Sequence, residues 1–515
     1  MKAWINIILC SLALPMPAIL QAENITIGGT PYAINTVETV VVADGVTCFR
    51  YDVPDYPLKF SILTVDCRKD KLTVEAWSAK DYARGVETPL AFSNRKTAEG
   101  SRVLAVVNGD LGSFSSNVLC AGEMIGGELA QCVTTPDICP SPGNGTPCAP
   151  HIGIDRHGRP VVDILRFKPF VKRMDGDRYD VSGVNINADG SPVARGNNQL
   201  VIYNGYVARD STATNEWGVE YLVAPVHGWL PDDDGNIRCA VERIRPIDNG
   251  ANSAEARRKM PIVKGKAVLS AHGNARVFLG DLGLGDELYI NWGVVADGGS
   301  GAQSLTHIVG GSDIILKDGV PQEPFFSGYC AQNSPNPRTA AGCSADGNTL
   351  ILAAVDGRQA SQGMAGVTTK RLGDIMKFAG ADVAINLDGG GSTCMVADGA
   401  IRNSPSENRA IFNGLLVAGA ASTAIDIAGT AGENVLIGPS PAEKTVCFRM
   451  PSTATAANMH VALYDRSGRE VKTASGSRPS GDRAVCIAVD DLPPGVYLYE
   501  ITGDVRPCSG KLIVK

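Results

Sequence analysis

The stretch Asn386-Leu387-Asp388-Gly389-Gly390-Gly391-Ser392 sets an ionisable carboxylate at the mouth of a glycine run. Glycine has no Cβ, so such a backbone can take φ > 0 and lie close to a ligand. The successive N–H groups of Gly389, Gly390, Gly391 and Ser392 can form a concavity that favours an anion. A second strand-end acid, Asp356, follows the apolar run Leu350–Val355 and precedes Gly357-Arg358. Two such carboxylates suit glycoside hydrolysis, one as acid and the other as nucleophile or base. Arg338, Arg358 and Arg409 flank the same stretch. A guanidinium is a planar, multi-donor group suited to phosphate or carboxylate, so three of them beside one loop point to an anionic ligand. The bland alternative is that both acids are turn aspartates before glycine, as Asp398-Gly399 is in a hairpin signal.

The elements that must position these groups can be read locally. Leu372, Ile375, Met376 and Ala379 follow i, i+3, i+4, i+7 spacing, with Thr368 or Thr369 as the cap and Gly380 as the stop, which predicts a helix. It lies between the strand ending at Asp356 and the strand Val383–Leu387. The two strands are therefore expected to run parallel through a right-handed crossover, with both aspartates at one sheet edge. Neighbouring strands would set them about 4.8 Å apart; one intervening strand would make it about 10 Å. Upstream, alternating patterns over Glu38–Cys67 and Leu72–Trp77 predict antiparallel strands. Thr88–Ala98 reads as a short helix, and Val103–Val107 as a core strand ending in Asn108-Gly109-Asp110, with Phe114 beyond. Asp232–Asn236 resembles half of a calcium loop, but it lacks the twelfth-position glutamate and reads as a solvated turn.

The whole chain sets bounds on this chemistry. With 515 residues and 44% hydrophobic composition it can build a large core and more than one domain. A net charge of -7 without a basic run argues against nucleic-acid binding. Lys2, the apolar stretch Ile5–Leu14 and Leu20-Gln21-Ala22 read as a secretory signal over residues 1–22. Export makes disulfides the expected fate of most cysteines. Cys48 with Cys67 and Cys330 with Cys343 are the expected local bridges, and Cys394 is the candidate free thiol. Six histidines and the loose spacing of Cys132, Cys139 and Cys148 do not read as a metal site, and no cofactor is expected.

The chain resembles a phosphodiester glycosidase family of the uncovering-enzyme type. The resemblance is carried by Asn336–Ala340, Val355–Arg358, Asn386–Ser392 and Asn403-Ser404-Pro405-Ser406, supported by Asn108-Gly109 with Phe114, Leu269–Gly273 and Val309-Gly310-Gly311. It spans about Glu87 to Val417. It implies removal of N-acetylglucosamine from a phosphodiester-linked sugar, with Asp356 and Asp388 catalytic or substrate-holding and Arg338 and Arg409 near phosphate. Asp110 stands where the family has a second glycine and becomes a possible third acid; Asn108 joins the substrate-binding set with Arg358 and Gly389–Ser392. Cys394 replaces a usual Thr or Ala, and the Cys-rich residues 117–150 look like an insertion on the site rim.

The expected organisation is an α+β chain. A signal occupies residues 1–22 and an N-terminal β region 23–84. A mixed-sheet catalytic domain with few helices follows over 85–420, then a linker over 421–441 and a small Ig-like sandwich over 442–515. Pro494-Gly495-Val496-Tyr497 and Gly510–Lys515 resemble C-terminal sorting domains of type IX secretion, which implies a secreted or surface location and contact with secretion machinery; an accessory β module is the alternative. The expected partner is a carbohydrate or glycoconjugate. A glycosidase on a phosphate-free polysaccharide and a non-catalytic carbohydrate-binding surface protein are the competing readings.

Overall fold

The computed structural model describes residues 24–83, 85–113, 118–132, 148–185, 195–212, 214, 217–246, 259–297, 302–323, 333–419, 436–438, 444–449, 458–465, 469–477, 484–503 and 508–514. The expected signal (1–22), Phe114, Cys139, Cys330 and nearly all of the expected linker lie outside them. The chain divides into two compact units, Met1–Gly419 and Ala420–Lys515.

The first unit is β-rich with few helices. One eight-stranded sheet runs in the order Val320–Pro321, Asp313–Lys317, Val383–Asn386, Arg338–Cys343, Thr349–Val355, Leu58–Asp66, Val46–Val53, Asn35–Ala43. A five-stranded sheet runs Ala400–Ile401, Met395–Ala397, Val103–Asn108, Asn413–Gly419, Leu72–Ser78. Their inward side chains, including Leu63, Val107, Leu352, Ile385, Met395 and Val417, form one buried core. Strands from the N-terminal β region thus complete both sheets. Leu72–Ser78 pairs along its whole length with Asn413–Gly419.

The outer faces are covered by helices. Thr368 caps Thr369–Phe378 by accepting from the Arg371 N–H, and Leu372, Ile375 and Met376 are buried. Gly380 closes the helix at φ +89, where only glycine is unstrained. This helix packs with Phe60, Val355 and Ala384 on the eight-stranded sheet. On the five-stranded sheet, Thr88 caps Pro89–Ala98, and Phe92 stacks on Trp77 with centroids 4.1 Å apart. A six-stranded and a further eight-stranded sheet, built from residues 123–310, enclose a third core. In the latter sheet Gly183–Val184 pairs parallel with Leu200–Asn204, among otherwise antiparallel strands.

The expected strand–helix–strand geometry is present with one intervening strand. Arg338–Cys343 lies between Thr349–Val355 and Val383–Asn386, antiparallel to each, so the two outer strands are parallel and both end at the same sheet edge. Asp232–Asn236 is a turn, with Asp232 Oδ1 accepting from the Asp234 and Asn236 N–H groups.

The cysteine expectation is corrected in part. Cys48 and Cys67 are free thiols. Cys48 lies under the sheet, its Sγ 3.9 Å from the Met395 sulfur, so the strand's alternation takes it into the core. Cys343 and Cys394 are also free and buried.

In the second unit, two antiparallel sheets face a common core that includes Phe448, Leu463, Ile487, Tyr499 and Leu512. Cys447 and Cys486, opposite each other on paired strands, form a disulfide. No helix among the described residues is long and apolar enough to cross a membrane.

Candidate active site

Asp388 sits where the strand Val383–Asn386 leaves the eight-stranded sheet, and the strand Val103–Asn108 of the other sheet ends against it. The Asp388 N–H donates to the Gly109 carbonyl at 2.8 Å. The Asn108 side chain is buried and bonded at both ends: its Nδ2 donates to the Asp388 carbonyl at 2.7 Å, and its Oδ1 accepts from Thr339 Oγ1 at 2.7 Å and the Cys394 N–H at 3.1 Å. Asn108 therefore ties the two sheets together under the loop.

The loop amides depart from expectation. The Gly389 N–H donates to Asp388 Oδ1 at 2.9 Å, Gly390 to the Pro337 carbonyl at 2.8 Å, and Ser392 to Gly389 at 3.2 Å. The run winds into a single 3-10 turn over Gly390–Ser392, and that turn consumes donors that an open concavity would leave for an anion. Glycine is still required. A Cβ on Gly389 would lie 2.7 Å from the Pro337 carbonyl oxygen, and Gly390 has φ +61 with the Arg358 guanidinium 2.9 Å from its Cβ position.

Asp388 is half-buried. Desolvation by the elements around it pushes its carboxyl up to about 6, opposed by the Ser392 hydroxyl, the Gly389 N–H, and the charges of Arg409 and Arg338. The Ser392 hydroxyl faces the carboxylate but makes no hydrogen bond of normal geometry. Asp110 is only 3% exposed. Burial drives its carboxyl well upward, the Ala121 and Leu111 N–H groups oppose this, and the charges of Asp388 and Glu123 add to it. Asp110 Oδ2 accepts from the Ala121 N–H at 2.8 Å, while Oδ1 is buried without a hydrogen bond. The Asp110 backbone is held by its N–H to Asn413 Oδ1 at 2.8 Å.

Asp356 stands at the end of a strand two places along the same sheet. It is fully buried. Oδ2 is ion-paired with Arg50, and Oδ1 accepts from the Ser404 N–H at 2.7 Å and Asn403 Nδ2 at 3.3 Å. The Asn403–Ser406 motif is thus docked onto Asp356. Of the three arginines, Arg338 is 2% exposed and braces the loop base through Nε to Val367 and Nη2 to Ser334, both at 3.1 Å. Arg358 is exposed, has φ +60 and donates from Nε to Asn336 Oδ1 at 3.1 Å. Arg409 reaches over Gly391.

Four contributors lacked a sequence signal. Arg50 and Asn413 lie on strands with no motif of their own. Glu123, fully buried and pushed up to about 7 by burial, accepts from Ser78 Oγ at 2.7 Å. His151, buried and pushed down to about 4, accepts at Nε2 from the Gly122 N–H and so supports the Ala121–Gly122 turn against Asp110. A buried polar residue within an apolar strand was the only clue available for each.

A separate cleft of about 650 Å3 is lined by Trp77, Ser78, Phe92, Glu128 and Tyr206 among others, with no residue of the Asp388 loop. The cleft also holds an acid of shifted pKa, Glu128, pushed up to about 8 by burial, with Lys96, Arg209 and Lys264 in its lining; the loop differs in setting two upward-shifted acids, Asp388 and Asp110, at a strand end beside arginines, which makes it the stronger catalytic candidate. Among the described residues no group of three or more His, Cys, Asp or Glu side chains is arranged to hold a metal ion.

These features define a β-rich α+β chain with an acid–arginine site at a strand-end glycine loop. Residues 247–418 match the phosphodiester glycosidase family, the stretch that carries Arg338, Asp356, Asp388 and Arg409; Asn108 and Asp110 lie outside it. Residues 437–515 match the secretion system C-terminal sorting domain. Both resemblances read in the sequence are therefore present. Among solved structures, a hypothetical protein from Synechocystis matches at 16% identity with TM-score 0.50, over 75% of this chain and 64% of its own, a likeness of fold alone. A protein from Burkholderia pseudomallei described as exported matches at 20% identity and TM-score 0.46, over 70% of this chain and 74% of its own. The zebrafish N-acetylglucosamine-1-phosphodiester alpha-N-acetylglucosaminidase catalytic domain, auto-inhibited by its pro-peptide, matches at 12% and 0.36, over 76% and 89%. No curated protein matches the chain.

Proposed function

We propose that this protein is an exported glycosidase that hydrolyses a sugar-1-phosphodiester bond and releases N-acetylglucosamine. The observation that carries the reading is a half-exposed Asp388 under the charges of Arg338 and Arg409, with buried Asp110 coupled to it from behind. Above about pH 6 Asp388 is a carboxylate able to serve as nucleophile, or as base toward water, at the anomeric carbon. Burial and the Asp388 charge both drive the Asp110 carboxyl upward and so favour its protonated form beside an ionised Asp388. The leaving group is a phosphate monoester, which departs as a stable anion and needs no strong acid behind it. Arg338, Arg358 and Arg409 stabilise the charge that develops there. Asp356 anchors the Asn403–Ser406 segment. The substrate partner is a glycoconjugate, and the C-terminal unit directs the chain to secretion machinery and the cell exterior.

The test is release of free N-acetylglucosamine from α-N-acetylglucosamine-1-phospho-mannose by wild type and by Asp388→Asn. Release by wild type alone supports the reading. Full activity in the variant removes Asp388 from the chemistry. Cleavage of a neutral oligosaccharide that is indifferent to Arg338→Ala replaces the phosphodiester with a polysaccharide substrate.

A further inference from the structure

Arg358 and Arg409, assigned above to an anionic ligand, already hold an anion from the chain itself. Glu407 Oε1 accepts from Arg358 Nη1 at 3.3 Å. Its Oε2 accepts from Arg409 Nε at 3.2 Å and Nη2 at 2.6 Å. The carboxylate rests on the glycine turn: a Cβ on Gly391 would collide with Glu407 Cδ and Oε2 and lie 2.6 Å from Arg409 Nη2. On the adjoining Gly390, the same construction meets the Arg358 guanidinium at 2.9 Å. Two guanidinium groups and one carboxylate therefore share the surface that the missing side chains leave open.

We propose that Glu407 is an internal anion that fills the phosphate position of this site, and that substrates bind by displacing its carboxylate from Arg358 and Arg409. The inference rests on the phosphodiester reading above and adds a specificity-determining residue to it. The geometry suits exchange. The side chains of Arg358, Glu407 and Arg409 are 46%, 45% and 32% exposed, and ion pairs this exposed are individually weak. A phosphodiester carries the same single negative charge as the carboxylate it replaces, and its two free oxygens can take paired N–H donors from a guanidinium. A neutral sugar cannot compensate two arginines that have lost Glu407, so the latch favours phosphate-bearing ligands over neutral ones.

The experiment is calorimetric titration of inorganic phosphate into the full chain as wild type, Glu407→Gln, and Glu407→Gln combined with Arg409→Ala. Glu407→Gln is expected to bind phosphate about three- to tenfold more tightly than wild type, the range that loss of one or two exposed pairs allows. The double variant is expected to lose that gain, and the KM for the phosphodiester should fall in Glu407→Gln. Unchanged or weaker phosphate binding in Glu407→Gln overturns the proposal. A gain that survives Arg409→Ala also overturns it, because it would reflect net charge and not this contact. If wild type releases no N-acetylglucosamine while the phosphate gain appears, the reaction assignment fails and the latch stands. Turnover without the gain removes the latch and leaves the reaction assignment in place.

Discussion

Asp388 draws its acidity from opposed influences, and the signs can be worked out. Burial raises its pKa to about 6, while Arg409 and Arg338 pull it down. If the carboxylate is the reacting form, kcat/KM should rise with pH through about 6. Arg409→Gln removes a stabilising cation, so that rising limb should move to higher pH, by roughly half to one unit; a pH–rate series on both proteins checks this. The same shift bears on stability. A folded-state pKa above the unfolded value favours the protonated form, so the contribution is present below about pH 4 and is lost as pH rises through about 6. Asp388→Asn should therefore melt no lower than wild type at pH 8, with any advantage shrinking at pH 4, as followed by circular dichroism.

At the scale of elements, the two strand-end aspartates have different surroundings, which predicts different jobs. Each ends a buried strand and precedes glycine, and their local sequences look alike. Asp356 faces Arg50 from a strand farther along the same sheet, with side chains 0% and 13% exposed, and it also receives the Asn403–Ser404 turn. Breaking a buried pair strands a charge and costs about 3–5 kcal/mol. Asp356→Asn should accordingly lower the melting temperature sharply, where Asp388→Asn does not. Thermal melts of the two variants side by side distinguish the roles; a stable but inactive Asp356→Asn would return Asp356 to the chemistry. The glycine turn shows the same division between local and distant causes. Its need for glycine was legible, and the Gly389 and Ser392 N–H groups stay within the loop, but the destination of the Gly390 N–H depended on Pro337, which belongs to another strand's approach.

At the scale of the whole molecule, the first unit contains the Asp388 site and the second matches a sorting domain. A chain ending at Gly419 should keep glycosidic release of N-acetylglucosamine and lose surface attachment; assay of purified protein and fractionation of expressing cells check the two halves separately. The sequence by itself determined the short-range features. Strand alternation, the Thr368 cap, the Gly380 stop and the Asp-Gly turns all follow from side-chain period and backbone sterics within a few residues. The sorting tail and the glycosidase resemblance were equally readable, because their motifs are contiguous. Only the tertiary structure decided which acids meet. Asp110 and Asp388 lie 278 positions apart in the numbering (388 − 110), just past the ends of strands of different sheets, and come together because both sheets bury their apolar faces in one core. That packing also sets Asn108 across to Thr339 and Asp388, while strand pairing within one sheet brings Arg50 to Asp356. Exposed chain at Glu407 then lies over the glycine turn. Polar partners across such distances leave no periodic trace in the chain, since their selection depends on where two buried faces meet.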